Sequence, residues 1–178
     1  YTDAGRLQTR TWARLVGGQP LVTTYSYNTA GDQTGIDYSD STPDVTITYD
    51  RLGRRATVTD AAGTQTFAYT SDSQLDTTTY AGGPLAGASL DSSYDTLGRL
   101  TTSAWYSWDV AHTGSTGYTY DAASRLSTVS AGTDIFTYAY LPNSGLIDTL
   151  TVNNGTADTM TTTRTHDKLN RLSSIIQT

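Results

Sequence analysis

The sequence predicts an all-β protein made of tandem antiparallel β-hairpin repeats in one continuous, curved or spiralling sheet. Its composition favours strands and turns, since Thr makes up about a fifth of the chain, with 13 Tyr, 16 Gly and no Glu. A tyrosine-led heptad recurs along the whole chain, as tandem repeat architectures require. Before the heptads at Tyr27, Tyr49, Tyr69 and Tyr120, aromatic or β-branched residues alternate with other residues, which is the period of a strand with one aromatic face.

The heptad occurs in eight degenerate copies. The steps from one start to the next are 26, 22, 20, 25, 26, 20 and 26 residues, close to the length of two short strands and two turns. We therefore interpret residues 1–178 as a single repeat array, a segment of a longer protein. The units begin near Tyr1, Tyr27, Tyr49, Tyr69, Tyr94, Tyr120, Tyr140 and His166.

Each place in the heptad has a physical role. An Asp in second place can accept hydrogen bonds from nearby backbone N–H groups and so begin a turn. Gly, Ser or Asn in fifth place suits a residue that needs positive φ, and Arg and Leu then open the return strand. Asp and Arg flank one turn, so a cross-turn ion pair is expected. The motif is best kept at Tyr49, Asp50, Gly53 and Arg54; at Tyr94, Asp95, Gly98, Arg99 and Leu100; at Tyr120, Asp121, Arg125 and Leu126; and at Asp167, Arg171 and Leu172 after His166.

Three further expectations concern the strands and loops. Leu126 and Val129 lie three residues apart, which breaks strict alternation and suggests a β-bulge. Glycine-rich stretches at Gly82–Gly87 and His112–Gly117 are expected to be the longer loops. The equivalent tyrosines are expected to align in a column on one face, ring stacked on ring.

The Tyr-Asp-x-x-Gly-Arg-Leu core resembles the YD repeat of Rhs proteins, insecticidal toxin-complex shell proteins, wall-associated proteins and teneurins. The resemblance covers nearly the whole chain, and it is repeated in register. It implies a sheet of hairpins that spirals around a hollow shell, which encloses a C-terminal toxin in several members and supports adhesion in teneurins. The Asp-Pro self-cleavage motif of the family's C-terminal segment is missing, because none of the four Pro follows an Asp.

The sequence offers little for catalysis, so we expect no enzyme and no cofactor. It has no Cys and two His, and His166 occupies a tyrosine place, so a metal site is not expected. Neither a Gly-x-Ser-x-Gly elbow nor a glycine-rich phosphate loop before a helix is present. A net charge of −6 argues against nucleic acid, and no apolar run reaches the length of a membrane span.

The three tryptophans, Trp12, Trp105 and Trp108, are the candidates for recognition. Exposed Trp and Tyr can stack on sugars, which suits a carbohydrate-facing adhesin. The alternative is that they pack against neighbouring hairpins, because large aromatics stabilise sheets through cross-strand pairs.

Two functions remain open. The first is a non-enzymatic extracellular scaffold, a piece of shell or fibre that encapsulates or supports other domains. The second is a carbohydrate- or protein-binding adhesion module that uses the exposed aromatics. Expected partners are neighbouring repeats or further copies joined head to tail, an encapsulated C-terminal domain, or a glycan. The expected location is outside a bacterial cell or on its surface, and the segment 173–178 is expected to be an uncapped edge strand.

Overall fold

The computed structural model describes residues 1–107 and 113–178. Fifteen strands in these ranges form one open antiparallel sheet, and their order in the sheet is their order in the sequence. This confirms the predicted all-β class and sequential hairpins. A single 3₁₀ turn, Gly83–Leu85, is the helical segment of the described residues, and helix amounts to 2%.

The first of two compact units is built on Tyr1–Leu90. Its hairpins follow the predicted repeat, since the heptads that begin at Tyr27, Tyr49 and Tyr69 each join two strands, and the heptad that begins at Tyr1 precedes the first strand. The 3₁₀ turn lies in the predicted longer loop Gly82–Gly87, where Pro84 sets the local φ. The strands are β1 Thr9–Val16, β2 Gln19–Tyr27, β3 Gln33–Tyr38, β4 Val45–Tyr49, β5 Arg55–Asp60, β6 Gly63–Tyr69 and β7 Leu75–Ala81.

The second compact unit is built on Asp91–Trp105 and, within the described residues, 113–178. The division between the units falls within strand β8, Ser89–Tyr94. The remaining strands are β9 Leu100–Tyr106, β10 Gly114–Tyr120, β11 Leu126–Ala131, β12 Asp134–Tyr140, β13 Ile147–Asn153, β14 Asp158–His166 and β15 Leu172–Gln177.

The predicted loop at His112–Gly117 is wrong for residues 114–117, which belong to β10. Gly114 pairs with Trp105, and a Cβ atom at Gly114 would lie 2.2 Å from the Trp105 ring. A glycine is therefore needed beneath the indole. Its presence in the sequence wrongly indicated a loop. His112 lies outside the described residues.

Burial is shallow throughout the sheet. No hydrophobic side chain of the described residues is fully buried, and the two buried residues are Thr23 and Thr78, each 3% exposed. Most strand residues are half-buried, as expected for a single-layer sheet of low hydrophobic content. Its stability must therefore come mainly from backbone ladders and from side-chain contacts between neighbouring hairpins.

A bulge follows the turn in each unit whose register is known. In the Tyr120 unit, Tyr120 pairs with Leu126 and Thr119 with Thr128, so Ser127 is the extra residue. This confirms the bulge that the spacing of Leu126 and Val129 suggested. The residues in the same place elsewhere are Thr34, Ala56, Asp76, Asp148 and Ser173.

One unit departs from the predicted heptad. Tyr140 pairs with Ile147 rather than with Leu146, and the backbone N–H of Leu141 donates to Leu146 O at 3.0 Å. The turn therefore contains one residue more than the others, and its residue with positive φ is Asn143, at 53°. The sequence prediction placed Leu146 at the start of the return strand and was wrong by one residue.

Candidate functional site

The turn of each heptad is closed by two backbone hydrogen bonds. In the Tyr49 unit, Asp50 N–H donates to Arg54 O at 2.8 Å, and Gly53 N–H donates to Asp50 O at 3.1 Å. Equivalent pairs close the turns that begin at Thr2, Asn28, Thr70, Asp95, Asp121 and Asp167. The second-place side chain completes the turn, since Asp50 Oδ1 accepts from the N–H groups of Leu52 and Arg54 at 2.8 and 3.0 Å.

The fifth place has positive φ in these turns, as predicted. Gly53 has φ 76°, and Ser124, in the same place of a later unit, has φ 61°. A non-glycine residue in this conformation is strained by about 1–2 kcal/mol. The side chain of Ser124 offers partial compensation, because its Oγ accepts from the Arg99 guanidinium at 3.1 Å.

The predicted cross-turn ion pairs are present in all four units with the Asp–Arg motif. The shortest nitrogen–oxygen distances are 2.7 Å for Arg54–Asp50, 2.6 Å for Arg99–Asp95, 2.7 Å for Arg125–Asp121 and 2.7 Å for Arg171–Asp167. In each pair the backbone N–H of the arginine is the main cause that lowers the pKa of the aspartate carboxyl, and the guanidinium lowers it further. The carboxylates thus stay ionised and hold each arginine in a fixed direction.

That direction carries three of the four arginines onto a tyrosine of the next unit. The guanidinium carbon of Arg54 lies 4.3 Å from the ring centroid of Tyr69, a cation–π distance. Arg99 lies 4.5 Å from the ring of Tyr120, and Arg125 lies 4.4 Å from the ring of Tyr140. Each of these three tyrosine rings therefore has an arginine of the preceding unit as a cation–π partner, and the stacking of tyrosine on tyrosine stays a prediction.

The hydroxyl of the same tyrosine reaches the backbone of the preceding unit. Tyr120 Oη donates to Leu100 O at 2.9 Å, and Tyr140 Oη donates to Leu126 O at 2.7 Å. The ladder between β11 and β12 begins at Thr128, so Leu126 lies outside it. Its carbonyl accepts a hydrogen bond from the tyrosine hydroxyl instead. The same bond joins Tyr27 to Leu7, Tyr49 to Gln33 and Tyr69 to Arg55.

We call this arrangement the tyrosine–arginine contact. It comprises a first-place tyrosine, the sixth-place arginine beneath its ring and the seventh-place carbonyl that accepts its hydroxyl. The arginine is thereby bound on both sides, by the aspartate of its own turn and by the ring of the next unit. The sequence motif predicted the turn and its ion pair but not this contact between units.

The Tyr27 unit carries a variation of the turn. Asn28 and Asp32 replace Asp and Arg, and Asn28 Nδ2 donates to Asp32 Oδ2 at 3.1 Å. Asn28 Oδ1 still accepts from the Asp32 N–H at 2.9 Å. The side-chain donor is now in second place and the side-chain acceptor in sixth place, and the turn is kept. Tyr49 retains its hydroxyl bond to Gln33 O although the unit before it has no arginine in sixth place.

The terminal motif has half of the contact. Arg171 is paired with Asp167, but no aromatic ring of the described residues lies over its guanidinium. Its side chain is 73% exposed, against 25% for Arg54 and 26% for Arg99. Leu172, which follows it at the start of β15, is 52% exposed.

The tryptophans have different surroundings. Trp105 is 45% exposed and lies against Gly114 of the adjacent strand, which favours the packing interpretation for this residue. Trp12, 41% exposed, lines a groove with Tyr38 and Asp40. Trp108 lies outside the described residues.

Solved structures share this fold, although no protein-family model and no curated protein matches the chain. The match to a chain in the crystal structure of TcdB2-TccC3-Cdc42 has a TM-score of 0.51 and 16% identity, over 95% of this chain and 11% of the other. A chain in the crystal structure of TcdB2-TccC3 matches with a TM-score of 0.51 and 15% identity, over 95% of this chain and 12% of the other. A chain in a structure of the Photorhabdus luminescens Tc holotoxin pore with a TccC3 mutation matches with a TM-score of 0.51 and 15% identity, over 95% of this chain and 11% of the other.

At these identities the likeness shows the fold alone. The chain spans about a tenth of the length of the solved chains that it matches. The chain has a hairpin sheet like that of the Tc toxin components it matches. Separately, no helix in the described residues is long and apolar enough to cross a membrane.

Proposed function

We propose that this chain is a length of structural wall made of YD-type hairpin repeats, a non-enzymatic scaffold in a secreted or surface protein of a bacterium. The observation that supports this most directly is the tyrosine–arginine contact, which recurs from hairpin to hairpin. In such an array each unit is stabilised by its neighbours, so the sheet can be extended without a thick hydrophobic core. The fold shared with the Tc toxin chains agrees with this role.

The proposed wall supports or encloses other domains, as the YD-repeat resemblance implies. Its partners are further repeats of the same kind, either in the same polypeptide or in other copies joined head to tail. The edge strand β15 supports this, because it pairs with β14 alone among the described strands. Leu172, Ile175 and Ile176 on this strand are all more than half exposed, and Arg171 lacks the ring that covers its counterparts.

The backbone of β15 shows which groups are free to pair. Thr178 and Thr161 exchange two hydrogen bonds, at 2.8 and 2.9 Å. The antiparallel register places Ile176 opposite Thr163, so by alternation the N–H of Ile176 faces β14. The N–H of Ile175 then faces the open edge, where a further strand would bind.

Sedimentation of the chain at tens of micromolar tests the proposed edge pairing. We expect concentration-dependent association of the unmodified chain. The variant Ile175→Pro removes an outward N–H and should sediment as a monomer with its hairpin intact, since proline is tolerated on an open edge. Ile176→Pro is the matched control, because it breaks the ladder to β14 and should loosen the last hairpin. A clean 19.1 kDa monomer for the unmodified chain would contradict the edge pairing.

A further inference from the structure

An open groove lies beside the edge strand β1, where the strand is irregular. Thr11 pairs with Val22 and Leu15 with Pro20, so residues 12–14 face a single residue of β2. Such an irregularity redirects side chains and weakens an edge as a template for another strand. Two of the redirected side chains, Trp12 and Arg14, line the groove.

The groove has a volume of about 400 Å³, within the usual range of small-molecule sites. Its wall combines aromatic rings with hydroxyl groups and one charge of each sign. The aromatic residues are Trp12 and Tyr38, and the charged residues are Arg14 and Asp40. The hydroxyl-bearing residues are Thr23, Ser39 and Thr42.

The indole of Trp12 is held in place before any ligand arrives. Its Nε1–H donates to Thr23 Oγ1 at 3.0 Å, and Thr23 is one of the two buried residues. The Arg10 guanidinium lies 3.6 Å from the ring centroid and covers part of the indole. A ring that is fixed and yet 41% exposed loses little freedom when a ligand stacks on it.

The carboxylate of Asp40 in the groove is held in a similar way. The N–H of Thr42 donates to Asp40 Oδ1 at 3.0 Å. Hydrogen bonds from the Thr42 hydroxyl and then from its N–H lower the pKa of the Asp40 carboxyl, and Arg14 contributes more weakly. Asp40 is thus an ionised acceptor, and Arg14 is a donor in the same groove.

We propose that this groove binds a neutral carbohydrate. The apolar face of a pyranose ring stacks on Trp12, while neighbouring ring hydroxyls donate to Asp40 and accept from Arg14. Opposite charges in one groove disfavour a ligand of strong net charge, and the irregular edge disfavours a peptide added as a strand. This binding site goes beyond the scaffold function and rests on separate residues.

The indole N–H signal of Trp12 in a ¹⁵N-labelled sample provides the test. The probes are the methyl pyranosides of glucose, galactose, mannose and N-acetylglucosamine and the β-1,4-linked disaccharides of glucose and N-acetylglucosamine. We expect at least one probe to shift this signal saturably in the millimolar range. Asp40→Asn should weaken that binding by about tenfold, because a hydrogen bond to a charged group is lost.

The matched control is Asp60→Asn. Asp60 Oδ1 accepts from the N–H of Ala62 at 2.8 Å, the same turn interaction that Asp40 makes with Thr42, but Asp60 does not line the groove. Its substitution should leave sugar binding unchanged. The proposal is overturned if no probe shifts the Trp12 signal up to about 50 mM, or if both variants weaken binding equally.

Discussion

At the scale of single residues, the repeat depends on a few backbone conformations and charges that the heptad supplies. The fifth place needs positive φ, and the second place needs a side-chain acceptor for the turn. Outside the Tyr140 unit, four different residue pairs fill the second and sixth places: Asp with Arg, Asn with Asp, Thr with Arg and Thr with Gln. In every one the sixth-place N–H donates to the second-place side chain, so turn geometry, and not charge alone, is what the heptad conserves within this chain.

The glycine of the turn gives the first prediction. Gly53 has φ 76° and a Cβ atom there would meet nothing within 4 Å, so Gly53→Ala adds conformational strain without a clash. We expect Gly53→Ala to lower the free energy of unfolding by about 1 kcal/mol in urea titration. Gly145 is the matched control, because it has equal space and no positive φ. An equal loss in Gly145→Ala would rule out the conformational explanation.

The acidic turn residues predict a dependence of stability on pH. The pKa values of Asp50, Asp95, Asp121 and Asp167 are lowered in the folded chain, chiefly by the N–H of the following arginine. The unfolded chain therefore binds protons more readily, and the stabilisation present above the ordinary pKa of 3.8 is lost as the pH falls through the folded values.

We expect the urea midpoint to fall between pH 5 and about pH 3. Replacing the four aspartates with Asn, the residue that closes the turn at Asn28, should flatten this dependence while keeping the hydrogen-bond acceptor. A midpoint that falls equally in the substituted chain would show that other carboxyl groups are responsible.

At the scale of the hairpin, the tyrosine hydroxyl binds a backbone carbonyl that the ladder to the adjoining strand does not reach. Tyr140 donates to Leu126 O, which lies outside the adjoining ladder. Its neighbour Tyr138 on the same strand is similarly half-buried, and its hydroxyl has no hydrogen bond in the described part of the chain. Comparing the two tyrosines therefore separates the contribution of the hydroxyl hydrogen bond to stability from that of an aromatic ring on β12.

We expect Tyr140→Phe to lower the free energy of unfolding by about 1 kcal/mol, the usual net contribution of one hydrogen bond. Tyr138→Phe should have almost no effect. Thermal or urea unfolding of the two variants measures the difference. If both substitutions have the same effect, the carbonyl of Leu126 does not depend on the tyrosine hydroxyl.

The hairpin is also the scale at which sequence prediction succeeds and fails. Turns, residues with positive φ, ion pairs and the bulge are local features. The spacing of residues such as Asp121, Arg125 and Val129 is therefore enough to predict them. The arginine beneath the tyrosine of the next unit requires knowing how two hairpins stack, which no local pattern gives. The extra residue in the Tyr140 turn was missed because Leu146 imitates the seventh-place leucine.

The candidate ligand site was only partly predictable. Composition singled out Trp12 and Trp105 alike, but their difference depends on what lies across the strand. Trp105 lies against a glycine, while the irregularity in β1 turns Trp12 toward a groove shared with Tyr38 and Asp40. Neither the irregularity nor the approach of Asp40 has a signal in the sequence.

At the scale of the whole molecule, the central claim is that stability is assembled from contacts between successive hairpins. A sheet with few buried side chains and a repeated contact should respond locally when one contact is removed. A globular domain with one shared core would instead lose stability as a whole.

Hydrogen exchange of the Tyr120→Ala variant, followed strand by strand, tests that claim most directly. The substitution removes the ring over Arg99 and the hydroxyl bond to Leu100 O. We expect protection to fall in β9, β10 and β11 and to remain unchanged in β4, β5 and β6. An equal fall in all six strands, or no fall in any, would contradict a sheet held together hairpin by hairpin.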